Sequence, residues 1–169
     1  MLGGKNYVMA ITLLEAKNKL KVNCYRHAGE EQDEFEKILS QAQGCRYEFL
    51  CWVVSEYQGF IDTRKQAGII FVQEYEDEAQ EMLRKLIVSD NPDNRDTASE
   101  ILQETKPPNA SELVRSLLED PYPYLQFDAC EFLKDEFPSE VKTTLLQLAQ
   151  NKDARVRAAA QQQLLDFEK

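Results

Sequence analysis

In the C-terminal half of the chain, apolar residues recur at i, i+3 and i+4, the spacing of one helix face and not of a strand. Laying that half on itself at a shift of 31 residues brings "DNRDTASEIL" (93–102), "YLQFDACEFL" (124–133) and "RVRAAAQQQL" (155–164) into register without gaps. Ala98, Ala129 and Ala160 then share one column, and Leu102, Leu133 and Leu164 share another. A third column holds Arg95, Gln126 and Arg157. One step further back, "DTRKQAGIIF" (62–71) adds Arg64, Ala67 and Phe71 to the same columns.

The segment before each copy repeats as well. Leu83, Val114 and Leu145 align, as do Leu86, Leu117 and Leu148, and Ile87, Leu118 and Ala149. In the first clear copy Leu50, Val53 and Val54 take these places, ahead of a connecting loop two residues longer. Each unit therefore reads as helix, short turn, helix. The turns are spelled "SDNPDN", "EDPYPY" and "NKDAR", whose Asp, Asn and Pro residues stop one helix and start the next. "KPPNASE" (106–112) separates two units, with Asn109 or Ser111 available as a cap, and "FPSE" (137–140) does the same one unit later. The alanine column marks where helix backbones approach closely.

Residues 1–44 follow the register less well. Phe35, Ile38 and Leu39 have the spacing of Ala67, Ile70 and Phe71, and residues 5–22 are the expected partner helix. This part reads as a helical cap, a degenerate first repeat, ahead of an array over 45–169 with units near 45–75, 76–106, 107–137 and 138–169. "GIIFVQEY" (68–75) is rich in β-formers, but its place in the register predicts helix.

The pattern resembles the short HEAT-like repeats known from phycobilin lyase subunits and many bacterial proteins. "DARVRAAAQQQLL" (153–165), "DNRDTASEIL" and the first-helix leucines carry the resemblance, which covers about residues 45–169. The signature Asp-x-x-Val-Arg-x-x-Ala is complete at Asp153, Val156, Arg157 and Ala160; the middle unit departs from it with Tyr124, Leu125 and Gln126. The resemblance implies an all-α fold, a right-handed α-solenoid of about four to five two-helix repeats whose second helices line a concave binding face. It also implies that Arg64, Arg95 and Arg157 pair with acidic turn residues of neighbouring units. Asp62, Asp93 and Asp153 are the expected partners in this structural ladder, each exposed pair contributing about 0–1 kcal/mol.

Charge narrows the function. The 20 basic and 30 acidic residues leave a net charge of −10, against the basic footprint that duplex nucleic acid requires. An acidic surface suits a basic protein partner, and equally suits solubility and nothing more. The apolar run Val8–Leu14 stops at Glu15, too short for a membrane span and without a signal-peptide cleavage pattern, so a cytoplasmic protein with no membrane role is expected. Cys24, Cys45, Cys51 and Cys130 form no C-x-x-C and read as free thiols in a reducing compartment. His27 is the sole histidine, six glycines are scattered, and no nucleophile–base motif surrounds either. No catalytic residue, metal or cofactor is expected.

What remains is surface suited to contact. "PYPYLQF" (121–127) gathers Tyr122, Tyr124 and Phe127 at a turn, as anchors for a partner or as filler of a gap between units. The runs "EEQDEFE" (30–36) and "EYEDEAQE" (74–81) offer Glu30, Glu31, Asp33 and Glu34, and Glu76, Asp77 and Glu78, as contact carboxylates or as solvated helix faces. Trp52, beside Phe49 and Tyr57, reads as core. The composite expectation is a non-catalytic module that binds another protein through its concave face, in sharper form a bacterial immunity protein that neutralises a toxin. A bilin lyase subunit or other enzyme component, and a general scaffold, are the alternatives.

Overall fold

The computed structural model describes residues 10–23 and 27–167. Among them are ten α-helices and no strand: α1 (Leu13–Asn23), α2 (Ala28–Gln41), α3 (Arg46–Ser55), α4 (Ile61–Glu74), α5 (Glu76–Leu86), α6 (Pro92–Thr105), α7 (Ala110–Val114), α8 (Pro123–Leu133), α9 (Pro138–Leu148) and α10 (Ala154–Phe167). A 3-10 stretch, Arg115–Glu119, prolongs α7. Helix α4 runs through the β-rich "GIIFVQE", because a buried face containing Ala67, Gly68 and Phe71 outweighs local propensity. Residues 5–9 of the expected first helix, and Cys24, lie outside the described residues. The chain forms two compact units, Met1–Gln80 and Glu81–Lys169, divided within α5.

In the first unit α1 packs on α2 and α3 on α4; α1 also meets α3, and α2 meets α4. Two hairpins are thus stacked like on like. Leu20, Phe35, Ile38, Phe49, Leu50, Val53, Val54, Ala67 and Phe71 are buried between them. Trp52 belongs to this core, 6% exposed, with the ammonium groups of Lys17 and Lys21 at 5.1 and 5.6 Å from its ring. The longer loop after α3 has a reason. It folds the Tyr57 ring inward to a 3% exposed position, directly over Gly59, where an added Cβ would clash with the ring.

In the second unit α8 packs on α6, on the 3-10 stretch and on α9, and α9 packs on α10. Ala98, Ala129 and Ala160 expose no surface, and neither does Ala67 in the first unit, as close helix crossings require. Leu102 and Leu133 are fully buried, whereas Leu164 is half-buried. The first-helix positions Leu83, Leu86, Ile87, Val114, Leu117, Leu118, Leu145 and Leu148 are all buried. Pro92, Pro123 and Pro138 occupy the first turns of α6, α8 and α9, where a missing N–H costs nothing. Asn109 precedes α7 without a side-chain cap bond, and Ser111 bonds Glu136 at 2.8 Å instead of capping.

Two outcomes follow from this packing. Ala129→Leu should destabilise the chain by about 1–3 kcal/mol in urea unfolding followed by circular dichroism, since the added methylenes have no room; wild-type stability would mean that the column is no close crossing. The second concerns Arg46 of α3, which grips Glu74 at the end of α4 through two bonds of 2.6 Å. That guanidinium holds the Glu74 carboxyl below its ordinary value. Stability from such a depressed carboxyl is complete above the unfolded-state value and is lost as pH falls through the folded one. Glu74→Gln should therefore be less stable than wild type near neutrality and converge on it below about pH 4; a gap that persists in acid would contradict the assignment.

Candidate functional site

The carbonyls at the end of an α-helix have no partner within the helix and must be satisfied by something else. In this chain one column of second-helix side chains bonds carbonyls at those ends and in the turns that follow them. Arg95 of α6 donates from Nη1 to the carbonyls of Ser89 (2.6 Å) and Asp90 (3.2 Å). Arg157 of α10 donates to those of Asn151 (2.7 Å) and Lys152 (2.9 Å), the same places in the register. Gln126 of α8 reaches the Leu118 carbonyl at 3.2 Å, and in the first unit Arg64 of α4 donates twice to Val54, at 3.2 and 2.8 Å. A second column shapes the turns from within. Ser89 Oγ, Asp120 Oδ1 and Asn151 Oδ1 each accept the N–H two residues on, from Asn91, Tyr122 and Asp153, at 3.3, 2.9 and 2.9 Å.

The arginine column therefore ties each second helix back to its own hairpin. Asp153 pairs with Arg155 (3.2 Å), whose guanidinium lowers its carboxyl pKa. Asp62 and Asp93 lie exposed in the first turns of α4 and α6. The reason is directional: side chains lean toward the N-terminus of their own helix, and so toward the turn. Arg95 does reach a neighbouring hairpin, but its carboxylate is Asp120. Nε and Nη2 donate to Asp120 Oδ2 and Oδ1 at 2.6 and 3.1 Å, with the two side chains 9% and 3% exposed. Nothing in the columns singled out Asp120, since the equivalent places hold Ser89 and Asn151.

This pair fixes the aromatic turn. Asp120 holds both the Arg95 guanidinium and the Tyr122 N–H, and the guanidinium carbon lies 5.6 Å from the Tyr122 ring centre. The Tyr122 and Tyr124 rings are 6.0 Å apart, tilted by 59°, and remain 44% and 43% exposed. Phe127, one turn on, is half-buried. Partial burial raises the Tyr124 phenol pKa, and the carboxylates of Asp96, Asp93 and Asp120 raise it further, against Arg95. Asp96 did not stand out in the sequence, because only the side-by-side packing of α6 and α8 brings it to Tyr124.

The acidic runs divide on inspection. Glu31 is fully buried, and its Oε1 accepts the Phe60 N–H at 3.0 Å, just ahead of α4. It is a structural cap, not a contact residue, because the 3.6-residue repeat turns one member of a charge run inward. Glu30 and Asp33 are exposed, and Glu34 is half-buried with Lys37 at 3.3 Å. Glu76, Asp77 and Glu78 form the exposed first turn of α5, where carboxylates suit the positive helix end.

Other side chains support little chemistry. His27 precedes α2, its ring exposed and forming no cap bond. Cys45, Cys51 and Cys130 are free thiols, all with pKa pushed up by burial, that of Cys130 to about 12. In the second unit a half-open groove of about 440 Å³ is lined by Arg115, Glu140, Thr143 and Gln147, with Arg115 already held by Glu140 at 2.7 and 2.5 Å. Among the described residues no helix is long and apolar enough to cross a membrane, and no acidic, His or Cys group is arranged for a metal.

The model of the family described as HEAT repeats matches residues 61–165. This chain belongs to the HEAT-repeat family. Comparison with curated proteins and with solved structures returned no match. HEAT repeats are in general protein-interaction modules and are typically non-catalytic.

Within this HEAT-repeat chain the Arg95–Asp120 pair should behave as a buried pair whose loss strands a charge. Asp120→Ala should cost about 3–5 kcal/mol in urea unfolding. Asp120→Asn, which keeps an acceptor for the Tyr122 N–H, should cost less. An Asp120→Asn protein as stable as wild type would show that the charge is immaterial.

Proposed function

We propose that this HEAT-repeat chain is a non-catalytic, cytoplasmic binding module that holds a basic protein. The aromatic turn on the α6–α8 side of the second unit makes the principal contact. The observation that carries this reading is the display of Tyr122 and Tyr124, each above two-fifths exposed, from a turn pinned by Arg95 and Asp120. Rings held in place before binding lose little freedom when a partner covers them, the property of interface anchors. The net charge of −10, with Glu30, Asp33, Glu76, Asp77 and Glu78 exposed, favours a basic partner by steering. An immunity role, in which the partner is a cationic bacterial toxin, is the sharper form, and it suits a small acidic chain.

The test is affinity capture from the native host, followed by binding measurements on the recovered protein. The partner should be basic, its affinity should fall as ionic strength rises, and Tyr122→Ser/Tyr124→Ser should weaken it about tenfold or more. A partner bound equally well by the double variant, or with affinity indifferent to salt, would remove the reading.

A further inference from the structure

We propose that the seam between α9 and α7 with its 3-10 extension is a docking groove for an extended basic segment of the partner protein. This inference rests on the protein-binding reading above and adds a second contact to the aromatic turn.

The seam has a local cause. Helix α7 is five residues long, and the chain then tightens into the 3-10 stretch Arg115–Glu119, a narrower coil than the eleven-residue α9. Two polar rungs span the gap, four residues apart on each side. Ser111 Oγ donates to Glu136 at 2.8 Å, and Arg115 donates to Glu140 at 2.7 and 2.5 Å. The Arg115 guanidinium carbon also lies 4.8 Å from the Phe137 ring centre. A groove opens at each rung. The wider, of about 640 Å³, has Ser111 and Glu136 in its lining; the narrower, of about 440 Å³, has Arg115 and Glu140. Both volumes fall within the range of ordinary binding clefts.

The linings select the occupant. In the wider groove Pro107, Pro108 and Phe132 give an apolar wall, stiffened where Lys106 turns the chain at φ 45° and two prolines follow. Its rim sets Glu131, Asp135 and Glu136 against Lys106, and the narrower groove sets Glu112, Glu119 and Glu140 against Arg115. Four of these carboxylates are already engaged: Glu131 by Lys134, Glu136 by Ser111, Glu112 and Glu140 by Arg115. Asp135 and Glu119 are exposed and form no hydrogen bond or ion pair with another described residue. One uncommitted carboxylate thus lines each groove, which favours a cationic segment and opposes an acidic one. The rungs leave no gap for a helix about 10–12 Å across, whereas a single extended chain can lie over them. From Ser111 to Glu119 the helix rise amounts to about 12–16 Å, which an extended chain covers in about four residues. Two basic residues four apart can therefore meet Asp135 and Glu119 together, the stem of the first lying on Phe132. Asp120 follows Glu119, so such a segment ends beside the aromatic turn.

The experiment is an NMR titration of the full chain with the capped peptide Gly-Arg-Gly-Gly-Gly-Arg-Gly, its isomer Gly-Gly-Arg-Arg-Gly-Gly-Gly, and a glutamate version of the first. Shift changes should centre on residues 106–119 and 131–143, and the glutamate peptide should not bind. The isomer, which can meet only one of the two carboxylates, should bind about two- to fivefold more weakly. Asp135→Lys/Glu119→Lys should weaken the spaced peptide about tenfold or more with little change in melting temperature, because both side chains are exposed. Asp135→Asn/Glu119→Gln should weaken it less. Glu76→Lys/Asp77→Lys, the same charge change on α5, should leave its affinity within about twofold at physiological salt. No binding, equal affinity of the two isomers, shifts spread over other acidic surface, or an equal loss from the α5 variant would each overturn the proposal. Should the captured partner depend on Tyr122 and Tyr124 yet ignore Asp135→Lys/Glu119→Lys, the groove fails and the protein-binding reading stands. Should the spaced peptide bind in the seam while no captured partner depends on the aromatic turn, that reading fails and the groove stands.

Discussion

A helix that ends in a tight turn leaves carbonyls without partners, and a stack of hairpins creates that problem at every step. The fold depends on how it is answered. In each hairpin with a clear register, one side chain near the start of the second helix bends back and donates to a carbonyl at the first helix's end or in the turn: Arg64, Arg95, Gln126 and Arg157. Three residues further along sits the alanine that lets the helices approach, Ala67, Ala98, Ala129 or Ala160, each without exposed surface. Carbonyl closure and close crossing thus come from adjacent turns of one helix, which is why they repeat together at 31 residues. The two requirements also constrain each other, since a long donor reaches the turn only if the backbones lie near.

The second unit adds one departure from the repeat. Where the turns before and after it place Ser89 and Asn151, the middle turn of this unit places Asp120, which shapes the turn with one oxygen and also holds Arg95 of the preceding hairpin. Tyr122 and Tyr124 follow directly and inherit that rigidity. A guanidinium held behind one ring orients the turn. Preorganisation of this kind converts contact area into affinity with little entropy lost.

Charge tells a more divided story. The first unit's acidic run contains one carboxylate, Glu31, that faces the core and meets the Phe60 N–H, and others, such as Asp33, that face water. Composition treats these residues alike. Their roles differ because α2 rotates 100° per residue, and only the position of α4 decides which member of the run finds a backbone donor. Similarly, the dipeptide-level signal of Asp153 beside Arg155 and Arg157 leaves open which arginine it holds; backbone direction gives it to Arg155 and sends Arg157 to the turn carbonyls.

Periodicity by itself determined the helices, their pairing into hairpins and the buried alanines, because burial repeats at the helical period and can be counted along the chain. It also exposed the aromatic turn as an interruption of the repeat. Tertiary structure decided what the counting could not reach: that Arg95 and Arg157 bond carbonyls of their own turns, and that Arg95 also finds Asp120 25 residues away. Those facts depend on which side chains of different helices share a volume. One-dimensional spacing specifies which way a residue faces, and only packing specifies what it faces.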